Sequence, residues 1–327
     1  MLFDSLIRPI FSYAAEFWLP FVIPKKGFES QSNILKFWES FNPELLNQKL
    51  CRLLLSVHRR GSRLAVLGEL GRYPVFIPVL RHCIKYQYHI NQMDNSSLIS
   101  IAVSDMGKNP NIDCWLSRVE KIKALFNLKR LYGKPDRIGL IIDKNIKSKF
   151  DRFYLEEINQ IKCGLDGQDH NKLRFYKTLK GSFKIEPYII QIKNRNQRHW
   201  LSRYRTSAHK LNIELGRYSR PVTPISERTC YYCDEGCIDD ERHFILFCQT
   251  FKIKRQCFFS RLNVLNCSFN LYSYEEKLRF ILCPPTLEVA KCVSKYLGIM
   301  TNIRSEIDMG LDPMNLNLYI KHKATIS

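Results

Sequence analysis

Between residues 230 and 248 the chain reads Cys-Tyr-Tyr-Cys, then nine residues to His243 and four more to Cys248. This C-x2-C-x9-H-x4-C spacing constrains the fold more than any other feature. Two thiols on a tight turn, with an imidazole and a third thiol about one helical turn apart, close a tetrahedral shell around Zn²⁺ with no open position, the arrangement of a structural ion. Cys237 is a rival ligand, only four residues beyond Cys233. Its use would leave the fourth ligand unassigned, so Cys230, Cys233, His243 and Cys248 are the expected set. Zinc bound there would hold the turn against a helix carrying Phe244, Phe247 and Phe251, and its loss would unfold this end of the chain. Asp239, Asp240 and Glu241 are consecutive, so their side chains diverge; a helix N-terminal role before His243 suits them better than a carboxylate metal cluster.

The segment before this pattern is the most basic in the chain. Between His170 and Arg220 there are thirteen Lys and Arg residues, and the only acids are Glu186 and Glu214. On a helix from Arg195 to Leu211, the residues Trp200, Leu201, Tyr204, Ala208 and Leu211 fall on one apolar arc, while Arg195, Arg198, Arg205 and His209 share the adjoining face. One side packs and the other faces anions. By the same placement Trp200 and Tyr204 are core residues and not base-stacking platforms. Arg203, Lys210 and Arg217, with Arg59, Arg60 and Arg63 from an earlier basic run, complete the expected phosphate-binding set. Over the whole chain 51 Lys and Arg oppose 31 Asp and Glu, a formal charge of +20, so a polyanion such as RNA or DNA is the expected partner.

A 45% hydrophobic content over 327 residues excludes a disordered chain and suffices for one large or two modest domains. Most of the twelve cysteines, such as Cys51, Cys83, Cys114 and Cys292, stand singly among apolar neighbours. They read as reduced core residues of a nuclear or cytoplasmic protein. Met1 to Pro24 is apolar but broken by Asp4, Arg8 and Glu16. It falls short of the roughly 18 to 20 apolar residues that span a bilayer, and it lacks a cleavage site, so no membrane partner is expected.

Helical periodicity runs through most of the chain. Leu2, Leu6, Ile10, Tyr13, Phe17 and Trp18 recur at steps of three or four, with Pro9 at a kink. Asn42 and Pro43 are N-cap and first-turn residues for a helix through Leu45, Leu46, Leu50, Leu53, Leu54 and Val57, ending in His58-Arg59-Arg60-Gly61-Ser62-Arg63. Gly68, Gly71 and Pro74 mark a tight connection into a helix from Ile77 to Ile90. Asp94 to Gly107 is polar and reads as a linker; helices follow over Trp115–Leu131 and Ile138–Ile161. Glu275-Glu276 opens a helix to Leu282, Pro284-Pro285 breaks the chain, a closing helix runs from Leu287 to Ile307, and a loose tail starts at Asp308. The fold class expected is mainly α.

Two blocks carry a resemblance. Leu2-Phe-Asp-Ser-Leu-Ile-Arg-Pro-Ile-Phe-Ser-Tyr13 with Glu16 and Trp18, followed by Leu67-Gly-Glu-Leu-Gly-Arg-Tyr-Pro74, resembles the segment after the polymerase palm of non-LTR (LINE-type) retrotransposon reverse transcriptases. Asn212-Ile-Glu-x-Gly-Arg-Tyr-x-x-Pro221, leading to Cys230-x-x-Cys233, Asp240-Glu-Arg-His243-Phe244 and Cys248, is similar to the zinc-knuckle region at the C-terminal end of the same polyproteins. The resemblance covers most of residues 1–260 and implies a helical thumb-like region over 1–93 and a CCHC zinc knuckle; with the residue pattern this divides the chain into that region, a helical spacer over 94–190, a basic helix and the knuckle over 191–262, and closing helices with a loose tail over 263–327. It makes Cys230, Cys233, His243 and Cys248 the zinc ligands. The nine-residue middle departs from the four-residue middle of retroviral nucleocapsid knuckles, so their binding mode does not carry over.

The function so implied is sequence-tolerant binding of RNA or DNA backbone beside an upstream polymerase half. In that family the carboxylates for two-metal polymerisation lie in the palm, on an aromatic-Ala-Asp-Asp motif. No such tetrapeptide occurs here, nor a Walker-type glycine loop, G-x-S-x-G or H-E-x-x-H. The chain alone is therefore not expected to be an enzyme. Two alternatives stand beside this: a portion of an active RNA-directed DNA polymerase whose palm and endonuclease are missing from the gene model, and a repurposed protein-interaction module.

Overall fold

The computed structural model describes residues 3–109, 112–128, 135–160 and 172–310. The end of the helix expected to reach Leu131, Cys163 and the tail beyond Gly310 lie outside them. The described residues are mainly helical, as the periodicity requires, with a single isolated antiparallel bridge between Thr229 and Ile238 in place of any strand. Two compact units form: Met1–Leu50 with Arg72–Ile158, and Cys51–Gly71 with Asn159–Ser327. Residues 51–71, which lie inside the region expected over 1–93, thus belong with the basic and cysteine-bearing segments.

In the first unit, Leu19, Ile34, Trp38, Phe76, Ile84 and Phe126 are buried. Trp38 meets Phe41 at 4.8 Å and Phe76 at 5.0 Å between ring centroids. Glu44 is buried among them, accepting hydrogen bonds from Asn47 Nδ2 (2.9 Å) and the Val75 backbone N–H (2.8 Å). Burial pushes its carboxyl up to about 7. The chain opens differently from the single kinked helix expected. A π-helical turn, Phe3–Ile7, runs into a short helix, Arg8–Ser12, where Pro9 sits in the first turn and its missing N–H costs nothing. The break falls later, at Ala14 (φ 51°), before the helix Ala15–Val22. The Asp94–Gly107 linker is also corrected: Ser97 Oγ accepts from the Ser100 N–H and caps a helix, Leu98–Lys108, which buries no residue. The polar Asn-Ser-Ser run was an N-cap signal.

The second unit is built on the crossing of two helices, Arg195–Arg205 and Leu287–Asp308. Leu201 and Tyr204 of the first pack with Val293, Leu297 and Met300 of the second. Tyr204 and Thr301 hydroxyls hydrogen-bond at 2.8 Å. The crossing is close because Gly298 has no side chain: a Cβ there would lie 2.7 Å from Trp200 Nε1. The expected helix from Arg195 to Leu211 ends at Arg205, since Ser207 adopts positive φ (48°). Helix Arg63–Leu70 joins this unit through Gly71 (φ 54°), where a Cβ would lie 2.4 Å from the Ile185 backbone nitrogen. Helix Tyr274–Leu282 starts with a reciprocal capping box between Ser273 and Glu276.

Candidate metal centre and cationic surface

The bridge between Thr229 and Ile238, extended by Cys230 N–H to Cys237 O (2.9 Å) and Asp239 N–H to Arg228 O (2.9 Å), folds residues 228–239 into a tight hairpin. Gly236 (φ 63°) takes the left-handed position in its turn. Cys230 and Cys233 are thereby set on the first arm and the turn of this hairpin. His243 opens a π-helical turn, His243–Phe247, capped by Asp240 Oδ1, which accepts the His243 N–H at 2.8 Å. Cys248 closes the turn, its N–H donating to His243 O (2.8 Å). Arg255 donates to the carbonyls of Cys248 (2.8 Å) and Phe247 (2.9 Å) and so ties the turn to the helix that follows. The segment expected as one helix from Phe244 is thus a π turn, a 3-10 turn Gln249–Phe251, and the helix Lys252–Leu265.

The donor atoms of Cys230, Cys233, His243 and Cys248 all lie within 4.8 Å of one another, and this group can hold a metal ion. Cys230 Sγ is 3.9 Å from Cys248 Sγ, and Cys233 Sγ is 3.4 Å from His243 Nε2. The hydrogen bond with Cys248 drives the Cys230 thiol down to about 3 and pushes Cys248 up. Burial opposes the charged imidazole of His243, but the Cys230 hydrogen bond and charge outweigh it and raise its pKa. A cation bound there would favour the thiolate form of all three cysteines. Cys237 is exposed and belongs to a second grouping, with Glu235, that shares His243.

Two acids of the same loop hold it to the rest of the unit. Asp239 accepts a bidentate pair from Arg304 (2.7 and 2.6 Å) and the Asn212 N–H (2.8 Å). Glu241 is fully buried and bonds Arg174, His209 Nε2 (2.8 Å) and Ser207 Oγ (3.0 Å). Burial alone would raise Glu241; Arg174 and His209 together hold it well below the carboxylate range. Of the three consecutive acids, only Asp240 takes the helix N-terminal role expected of all three. Their side chains do diverge.

The cationic set divides. Arg205, expected on the anion-facing side, is 1% exposed and bonded to Glu69 through two 2.8 Å contacts, to Glu186 at 2.8 Å and to Leu282 O at 2.6 Å. His209 is buried against Glu241 and stacks on Tyr204. Neither side chain faces solvent: each is bonded to a buried carboxylate from another part of the chain, Glu69 or Glu241. Arg217 pairs with Glu214 at 3.1 Å, and Arg198 donates to Ile192 O at 3.2 Å; both are half-buried. Lys210 is exposed, and Arg63 is half-buried in the first turn of its helix.

The remaining cations meet at the turn after helix Asn42–Leu55. Ser56 turns back with φ 54°, and the helix end is closed by the Val57 N–H on Arg52 O (2.9 Å) and the Ser56 N–H on Leu53 O (3.2 Å). Arg195 donates to Leu53 O (2.9 Å) and Ser56 Oγ (2.9 Å), and Arg203 to Ser56 O (3.2 Å). Lys172 Nζ donates to Arg60 O (2.5 Å) and Tyr218 Oη (3.1 Å), while the Arg60 guanidinium lies 4.2 Å from the Tyr218 ring centroid. Arg59, Arg60 and His58 are exposed. Burial, then Lys172, Arg60 and Arg203, lower the His58 pKa. Lys172, Tyr218 and His58 were absent from the expected set, although Lys172 is one of the thirteen cations of the basic stretch, Tyr218 lies in the second resemblance block and His58 opens the earlier basic run.

No protein-family model matches the chain, and neither a curated protein nor a solved structure proves similar to it. Among the described residues, no helix is long and apolar enough to cross a membrane.

Proposed function

We propose that this chain binds the phosphodiester backbone of RNA or DNA through the surface around residues 58–60, on a unit tied together by a structural zinc ion. The observation that carries the reading is that Arg60 and Lys172 lie against the Tyr218 ring while Arg195 and Arg203 bond the adjoining turn at Leu53 and Ser56, next to His58. The Coulomb effect of three of these cations on His58 marks a common positive field. Such a field with an aromatic ring at its edge suits phosphates and stacked bases.

Zinc fits the four donors. A tetrahedral ion with Zn–S bonds of about 2.3 Å sets neighbouring sulfurs about 3.8 Å apart, against 3.9 Å for Cys230 and Cys248. Three thiols and one imidazole leave no open position, so the ion would hold the hairpin to the His243–Cys248 turn. The resemblance of the Leu2–Pro74 and Asn212–Cys248 blocks to the C-terminal part of non-LTR retrotransposon reverse transcriptases supports the same reading, in which the chain lacks its own polymerase carboxylates and works beside a polymerase half.

Fluorescence anisotropy of the zinc-loaded chain with single-stranded RNA and duplex DNA across a salt series tests this. Four or five phosphate contacts give a slope of log K against log salt of about −4, a loss of a few hundredfold between about 50 and 200 mM. Absence of binding at low salt overturns the proposal. A second reading, a protein-interaction module, is favoured by one observation: Leu6, Ile10, Tyr13, Phe17 and Phe21, at helical steps in the first unit, are all more than half exposed. Binding of a protein partner insensitive to salt, with none to nucleic acid, would select it.

A further inference from the structure

A cavity of about 290 Å³ opens in the second unit, apart from both the four metal donors and the turn at 58–60. Its apolar lining comes from Phe175, Leu179, Leu278 and Leu282, and its polar lining includes Arg242, Arg279, Asp240 and Glu275. Tyr274, also in the lining, is held edge-on to Phe247 at 4.8 Å, and the Arg242 guanidinium lies 5.7 Å from the same Phe247 ring centroid. Arg242 directly precedes His243, so the fold of the metal-binding loop sets the place of this guanidinium. Thr178 donates its hydroxyl proton to Phe175 O (2.7 Å), so toward a ligand its oxygen can only accept.

The space equals that of about ten liquid waters, the size of a small-molecule site and not of an ion site. An apolar lining disfavours a bare anion. Arg242, Arg279 and Glu275 are exposed in the lining, whereas Asp240 is half-buried, and a purely aliphatic ligand would cover its carboxylate without offering a donor. A flat heterocycle satisfies both demands, with its faces against leucine and aromatic carbons and its donor and acceptor edge against the arginines and carboxylates. A purine presents such an edge, with ring nitrogen and carbonyl acceptors that suit arginine and amino donors that suit carboxylate. We infer that this cavity is a nucleotide subsite that takes a purine base, with Arg242 and Arg279 meeting its edge and phosphate and Asp240 and Glu275 its amino groups. The choice of a base over other heterocycles rests on the nucleic-acid reading above.

The test is calorimetric titration of the zinc-loaded full chain with each nucleoside 5′-monophosphate and with inorganic phosphate. Purine monophosphates bind at millimolar concentration or below, pyrimidine ones more weakly, and phosphate alone does not. Thr178 is exposed, so Thr178→Trp fills the cavity from its edge; it abolishes the binding with unchanged circular dichroism. Arg279→Ala weakens it roughly fivefold or more. Arg60→Ala with Lys172→Ala leaves mononucleotide binding intact while reducing polynucleotide affinity. Binding that survives Thr178→Trp overturns the inference. So does a chain that binds RNA with a steep salt dependence yet takes no mononucleotide, a result that leaves the backbone-binding reading standing. Mononucleotide binding without polynucleotide binding supports the cavity and defeats the backbone reading.

Discussion

Arg205→Ala separates the structure from the surface-helix picture most sharply. The guanidinium is 1% exposed and offsets two carboxylates, Glu69 at two 2.8 Å contacts and Glu186 at 2.8 Å, with a further bond to Leu282 O. Removing it leaves Glu69, itself fully buried, with Tyr188 Oη (2.6 Å) as its one side-chain donor among the described residues. Breaking one partner from a buried ion pair costs about 3–5 kcal/mol, a large share of the about 5–15 kcal/mol that holds an ordinary domain. The second unit should therefore unfold at much lower urea, or not fold at all. Glu69→Gln in the same background removes the stranded charge and should recover a measurable part of the loss. Urea titration followed by circular dichroism, with proteolysis to identify the unit that opens, reads both effects. An Arg205→Ala chain as stable as the parent but weaker for RNA would refute the reasoning and return Arg205 to the anion-binding face.

Other perturbations test separate links. Glu44 has a folded-state pKa raised to about 7, so its contribution to stability is fully present below the unfolded value near 4.5 and is lost as pH rises through 7. The loss reaches about 3 kcal/mol at alkaline pH, and Glu44→Gln should flatten that slope in pH-dependent urea unfolding. Gly298→Ala forces a Cβ to 2.7 Å from Trp200 Nε1; overpacking of this kind costs about 1–3 kcal/mol, seen as a lower thermal midpoint with a shifted Trp200 fluorescence. Cys233→Ser, or a strong chelator, should release one zinc per chain and expose the amides of residues 229–251 to hydrogen exchange, whereas Cys237→Ser should keep the metal.

How much was legible follows from the range of each interaction. The metal donors are set by spacing within one hairpin and one turn, so Cys230, Cys233, His243 and Cys248 could be read directly. Helices with strong caps, such as Tyr274–Leu282 and Leu287–Asp308, were equally plain. The cationic face was read by counting charges within one stretch, where only Glu186 and Glu214 oppose thirteen cations. That count could not see Glu69 reaching Arg205, or Glu241 reaching Arg174 and His209. Nor could it see Lys172 and Tyr218 arriving beside Arg60. Buried acids at long sequence separation leave no periodic signal, so a local surplus of charge overstates what reaches solvent. The Ala14 break and the Ser97-capped helix were missed for a local reason: positive φ at alanine has no residue signature, and a cap in a polar run resembles a linker.

The most direct test of the account replaces Arg59, Arg60 and Lys172 together by alanine and compares the salt dependence of RNA binding with a control lacking three other cations of the same unit, Lys252, Lys291 and Lys295. Both variants lose the same formal charge. The account predicts that the first triple lowers the slope of log K on log salt by about two to three and weakens binding sharply, while the control stays near the parent. Equal losses in the two variants would contradict it, because affinity would then follow net charge and not the surface at 58–60.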